Sequence, residues 1–389
     1  MIHEKLRISI ICVFCLFVII PGLIGCIPIH SATSSITSVS VITSSSTPNT
    51  MSTVISTTIV TLSPTSATGL PNIFDLEGVY LSPIIVGTDG NLWFPDISKN
   101  SIGKISPSSG IVTEYQLPAG SGYPYGIAFG SDGNLWFIER NVNKIGKFSL
   151  TDGKITQYDI PAINDRPHSP NGITAGPDGN LWFTDYYGCK IGKISPGNGK
   201  ISQYALPDPK DDPTSIITGP DGNLWFTELT ACKIGKISPS TGAIIEYDVH
   251  AAMPSGIIIG PDGNLWFTEL IRYKIGKITP ATGSITEFDI PTVRSYPFGI
   301  TTGNDGNLWF TEEIGNKIGK LSPETGNITE YQLPLQENSP RGITVGPDGN
   351  LWFTAGKDVV NGDVFVKWSF IIGKISSIDG KITEYVVNN

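Results

Sequence analysis

One hexapeptide, Asp-Gly-Asn-Leu-Trp-Phe, occurs seven times, with its tryptophan at Trp93, Trp136, Trp182, Trp225, Trp266, Trp309 and Trp352. Those tryptophans are 43, 46, 43, 41, 43 and 43 residues apart. A strict period near 43 is that of a four-stranded propeller blade, and no single repeat of that size can bury its own apolar faces. The spacing therefore predicts an all-β, seven-bladed β-propeller of four-stranded antiparallel blades over residues 70–389. The 44 glycines, 29 prolines and 16% charged residues suit short strands and tight turns rather than helices.

The third repeat gives the reading of one blade. Asn171 to Gly176 reads as the inner strand, and Pro177-Asp178-Gly179-Asn180 as a turn whose glycine supplies positive φ. Leu181 to Asp185 and Lys190 to Ile194 read as the middle strands, and Lys200 to Leu206 as the outer one. Alternation puts Leu181 and Phe183 on one face and Trp182 on the other, so both faces are apolar, as a blade packed between two neighbours requires. The tryptophans read as core. Closure of the ring has two solutions, because Ile73 to Leu76 and Lys381 to Val387 both resemble an outer strand. The C-terminal one is expected in the fourth slot of blade seven, with the other lying alongside; the reverse also satisfies the pattern.

Before the repeats, residues 1–26 run from Lys5 and Arg7 through an apolar stretch to Leu23-Ile24-Gly25-Cys26, a signal peptide with a lipobox whose Cys26 would be lipidated. An uncleaved membrane anchor fits the same residues. Residues 27–69 form a Ser/Thr-rich stalk expected to be disordered, since positions 31–68 hold 23 Ser or Thr and no charge. The propeller is thus expected to be extracellular and tethered to the cell membrane through its N-terminus alone. Cys189 and Cys232 occupy the same place in neighbouring repeats, which argues against a bridge. With a net charge of −9 and no stretch that concentrates basic residues, nucleic acid is not an expected partner.

Chain reversal at each turn puts the loop entering strand one and the loop joining strands two and three at one end, where any site is expected. An acid follows three residues after six of the tryptophans: Asp96, Glu139, Asp185, Glu228, Glu269 and Glu312, with Ala355 in blade seven. Such a ring could hold a cation. A lysine five residues further on, at Lys144, Lys190, Lys233, Lys274 and Lys317, instead suggests a repeated hairpin ion pair. The residue after the strand-opening proline varies from blade to blade: Tyr125, Asn171, Thr214, Ser255, Phe298 and Arg341. With Tyr186, Tyr273, Tyr296 and an insertion from Gly356 to Phe370 that carries Trp368, these predict an aromatic funnel for a small molecule, peptide or glycan. Tyr125, Asn171, Phe298, Arg341 and Trp368 are the expected ligand-binding residues.

The units Pro-x-Gly-Ile, Gly-Pro-Asp-Gly-Asn-Leu-Trp-Phe-Thr-Glu, Lys-Ile-Gly-Lys-Ile and Ile-Thr-Glu-Tyr together resemble the virginiamycin B lyase (streptogramin B lyase) family over all seven repeats. The resemblance implies a seven-bladed propeller, and an enzyme that opens a cyclic depsipeptide by Mg2+-dependent C–O elimination. It also implies where the chemistry would sit: a histidine after the proline of blade six, a Glu-Pro-His in blade seven and a glutamate after the blade-seven tryptophan. The matching positions hold Phe298, Ser339-Pro340-Arg341, and Ala355 or Gly356. Three functions follow as expectations. The first is a monomeric binding propeller without turnover. The second is a lyase or lactonase-like hydrolase using His168, His250, Glu228 and Glu269, with Asp185, Glu228 and Glu269 as metal ligands. The third is a cell-surface platform for protein partners.

Overall fold

The computed structural model describes residues 83–162, 168–250, 252–334, 339–361 and 364–387; at 357–361, 364–369 and 386–387 it describes the backbone alone. The leader, Cys26, the stalk and Ile73 to Leu76 lie outside the described residues. Seven antiparallel sheets of four consecutive strands each make seven blades. Blade seven takes its fourth strand, Ile382–Val387, from the C-terminal segment.

Blade three follows the sequence closely: strands Pro170–Ala175, Leu181–Asp185, Lys190–Ile194 and Ile201–Ala205, with Gly179 at φ +78° in the first turn. Every residue of Leu181–Asp185 is buried, as the two apolar faces demand. Trp182 packs with Leu224 and Phe226 of blade four, while Phe183 packs with Trp136 of blade two. The seam is closed the same way, by Trp352 and Phe370 of blade seven against Phe94 and Leu92 of blade one. Burying one such ring is worth about 2–3 kcal/mol, and aliphatic side chains such as Ile191, Leu206 and Ile216 add to each interface.

Three repeated contacts account for residues that periodicity alone does not. The hexapeptide aspartate accepts the indole N–H of the tryptophan four residues on, at 2.9 Å for Asp178–Trp182 and Asp221–Trp225. A lysine of the third strand lies over the same indole, with Lys193 Nζ 4.8 Å from the Trp182 ring. The glycine of Lys-Ile-Gly-Lys covers a phenyl ring: a Cβ on Gly235 would sit 2.1 Å from Phe226.

A further repeated contact joins inner strands. Thr268 accepts the Gly256 N–H at 2.9 Å within its own blade, then donates to the Phe298 carbonyl of the next blade at 2.8 Å. Thr184, Thr227 and Thr311 make the same bridge to Thr214, Ser255 and Arg341. The glycine of Pro-x-Gly-Ile permits the approach, because a Cβ on Gly299 would lie 2.1 Å from the Arg341 carbonyl. In blades four to seven the residue after the strand-opening proline is thus pinned by its main chain while its side chain is left to vary.

Candidate functional site

The loops entering strand one meet the loops between strands two and three at one end of the blades. Two groups of side chains form there. In the first, His168 donates from Nδ1 to Asp185 Oδ2 at 2.5 Å, and both side chains are buried. Asp185 Oδ1 also accepts the Ser169 and Gly188 N–H groups, at 2.9 and 3.2 Å. The Ser169 hydroxyl accepts from Arg140 Nε at 2.7 Å, and the Arg140 guanidinium lies 5.3 Å from the Tyr125 ring. His168 Nε2 is buried without a hydrogen-bond partner.

In the second group, the Arg341 guanidinium lies 5.0 Å from the centre of the Phe298 ring and pairs through Nη2 with Glu313 Oε1. Arg341 is buried, and its Nε has no partner. Beside the pair opens a pocket of about 570 Å³, walled by Glu313, Asn316 and Gln332 on the polar side and by Ile314 and Leu333 on the apolar side. Ile314 is 52% exposed at its rim. Tyr273 and Tyr296 pack 5.4 Å apart on blades five and six. Half-buried Asn171 occupies the matching place in blade three. Trp368 stands opposite Asp358 where the blade-seven insertion continues strands two and three as one long hairpin, Leu351–Asn361 and Val364–Ile375.

The acids after the tryptophans do sit opposite the expected lysines, Glu228 across from Lys233 and Glu269 across from Lys274. The hairpin ion pair does not form at either position. Lys233 turns to Glu246 on the outer strand at 2.9 Å, and Lys274 to Glu287 at 2.9 Å. Register fixes which Cα atoms face each other, whereas the long lysine chain selects the ionised carboxylate nearer solvent. Glu228, Glu269 and Glu312 are left fully buried, with neither oxygen hydrogen-bonded. Burial and the neighbouring Glu246 and Asp211 push the Glu228 carboxyl up to about 9. Burial, with Glu287 or Glu330 alongside, pushes Glu269 and Glu312 up to about 8. In blade two the matching Glu139 accepts from Gln157 Nε2 at 2.8 Å.

Of the residues expected to make a relocated centre, the structure joins His168 to Asp185 only. Glu228 and Glu269 lie in separate blades, and His250 is exposed at φ +36°, its carbonyl accepting from Arg272 at 2.9 Å. Among the described residues, the group of three acids within metal-binding reach is Asp211, Glu228 and Glu246, all within 4.8 Å of one another. Cys189 and Cys232 are both buried, and Cys189 Sγ lies 3.1 Å from the Pro209 carbonyl. Sequence reasoning missed Glu313, Arg140 and Asp211. Asp211 carries a signal, since it stands two residues before the strand-opening proline, where blade three has His168.

Fold and site together define a seven-bladed propeller whose blades carry variable side chains at one end. The chain belongs to the virginiamycin B lyase family, whose model matches residues 67–170 and 162–389. It is similar to a streptogramin B lyase structure at 38% identity and TM-score 0.66, over 72% of this chain and 91% of that one. Virginiamycin B lyase from Staphylococcus aureus is similar at 39% identity and TM-score 0.65, over 70% and 91%. A catalytically inactive form of that enzyme with quinupristin gives 39% and 0.66, over 72% and 93%. Among curated proteins, none matches the chain.

Proposed function

We propose that this chain is an exported, membrane-tethered binding propeller that holds a small molecule, peptide or glycan at the blade-six and blade-seven end without the family's elimination chemistry. One observation carries this reading: Phe298 and Arg341, which the family resemblance aligns with two catalytic imidazoles, form a stacked pair closed by Glu313. A phenyl ring carries no proton, and a guanidinium does not give one up near neutral pH, so neither serves as general base or leaving-group acid. Magnesium does not fit these positions either. Phe298 offers no donor, Arg341 adds positive charge, and the Glu313 carboxylate is already paired with it.

Quinupristin, present with the inactive staphylococcal relative, is the first ligand to try. Tight binding by intrinsic fluorescence with no ring opening in the presence of Mg2+ supports the proposal, and Phe298→Ala should weaken that binding at least tenfold. Magnesium-dependent ring opening by the unaltered chain would overturn it. Tethering rests on the apolar leader and Cys26; Cys26→Ser should abolish lipid labelling.

A second reading, catalysis from a relocated site, is favoured by the 2.5 Å contact of His168 with Asp185 and by the unpartnered Nε2. A carboxylate that accepts from Nδ1 fixes the tautomer and orientation of an imidazole and leaves Nε2 to act. Lactone hydrolysis that disappears in His168→Ala would favour this reading; equal rates in the two proteins would remove it.

A further inference from the structure

We propose that the pit at the loop end of blade four is a binding site for a hard divalent cation, held by Asp211, Glu228 and Glu246. The three carboxylates come from different elements: the loop entering blade four, the end of its second strand and its outer strand, Ile244–Asp248. Their ligand oxygens lie within 4.8 Å of one another. An ion with oxygens about 2.4 Å away spans about that distance between opposite donors.

Acidic side chains alone would not make a site, because Lys233 could neutralise part of their charge. The telling feature is the surplus of acceptors. Glu228 is 0% exposed with both oxygens unpartnered, and Glu246 Oε1 is a third buried oxygen without a donor. Buried acceptors without donors are costly, and a cation satisfies several at once. All three candidate ligands are carboxyl oxygens, Glu228 releasing its proton as the ion enters, and such hard donors select calcium or magnesium over zinc or copper.

Lys233 already occupies the edge of the pit as a cation, with Nζ 2.9 Å from Glu246 and 3.2 Å from Asp211. It has somewhere to go. Asp248 stands directly opposite Lys233 on the outer strand. In blades two and five the matching lysines reach that position, Lys144 to Asp159 at 3.3 Å and Lys274 to Asp289 at 3.2 Å. A metal ion would send Lys233 to Asp248 and take its place. The other blades act as internal controls, since Ala252 and Ser295 stand where blade four has Asp211.

The test is calorimetric titration of the full-length, chelator-treated chain with CaCl2 and with MgCl2, paired with thermal unfolding. The expected result is one site for at least one of the ions, weakened at least tenfold by Asp211→Asn, tightened several-fold by Lys233→Gln and unchanged by Glu269→Gln. No binding of either ion at millimolar concentration in both the unaltered chain and Lys233→Gln would overturn the proposal. So would binding that Asp211→Asn leaves intact.

Discussion

Arg341 lies against Phe298, its guanidinium 5.0 Å from the ring centre, and the Arg341 main chain is pinned from behind by Thr311, which donates to its carbonyl at 2.7 Å. Side chain and backbone are therefore fixed by different groups of blade six: the Phe298 ring and Glu313 carboxylate hold the side chain, and the Thr311 hydroxyl holds the main chain. Arg341→Met keeps most of the stacking volume but leaves Glu313 without its partner. Because both charges are largely buried, chemical denaturation should show a loss of about 3 kcal/mol, and the double variant with Glu313→Gln should recover much of it.

Thr311→Val removes a hydroxyl that accepts from Gly299 and donates to Arg341 while keeping the shape. Two buried backbone groups lose their partner, which is expected to cost about 2 kcal/mol in urea unfolding. The same substitution at Thr268 should cost a similar amount, since its bridge is the same. An effect confined to one blade would argue against a shared bracing role.

Gly319→Ala places a Cβ 2.1 Å from the Phe310 ring, which is itself fully buried. The ring has no room to retreat. Overpacking should destabilise by about 1–3 kcal/mol or more, read as a lowered denaturation midpoint with an unchanged slope.

The pH dependence of stability should carry the mark of Glu269 and Glu312. Each carboxyl titrates at about 8 in the folded chain against an ordinary value of 4.5, so the fold binds these protons more tightly than the unfolded chain does. Below pH 4.5 neither group favours unfolding. Stability then falls as pH rises from 4.5 to about 8, and the loss levels off above that. Glu269→Gln and Glu312→Gln should each flatten this decline, most visibly when denaturation at pH 5 and pH 9 is compared.

Blade count and strand positions were legible, because a 43-residue period and a two-residue alternation are properties of the chain itself. The partner of Lys233 was not. Facing positions follow from register, but the choice between Glu228 and Glu246 depends on which carboxylate keeps its charge, and that depends on burial. The Ile-x-Glu-Tyr stretch holding Glu246 was in view, yet nothing in its spacing says that a lysine two residues out of register will reach it. Phe298 and Arg341 were singled out as variable residues, while Glu313, which closes their pair, has no periodic counterpart to draw attention to it.

The join between first and last blades has a cost in time. Ile84, Leu92 and Phe94 pack against Trp352, Phe370 and Ile372, which are made after most of the chain has left the ribosome. Through synthesis and any passage N-terminus first across a membrane, the earliest blade carries a bare greasy flank. Attendants that shield such surfaces would be needed most by this end of the molecule, and a chain stopped short of its last repeat would keep that flank exposed.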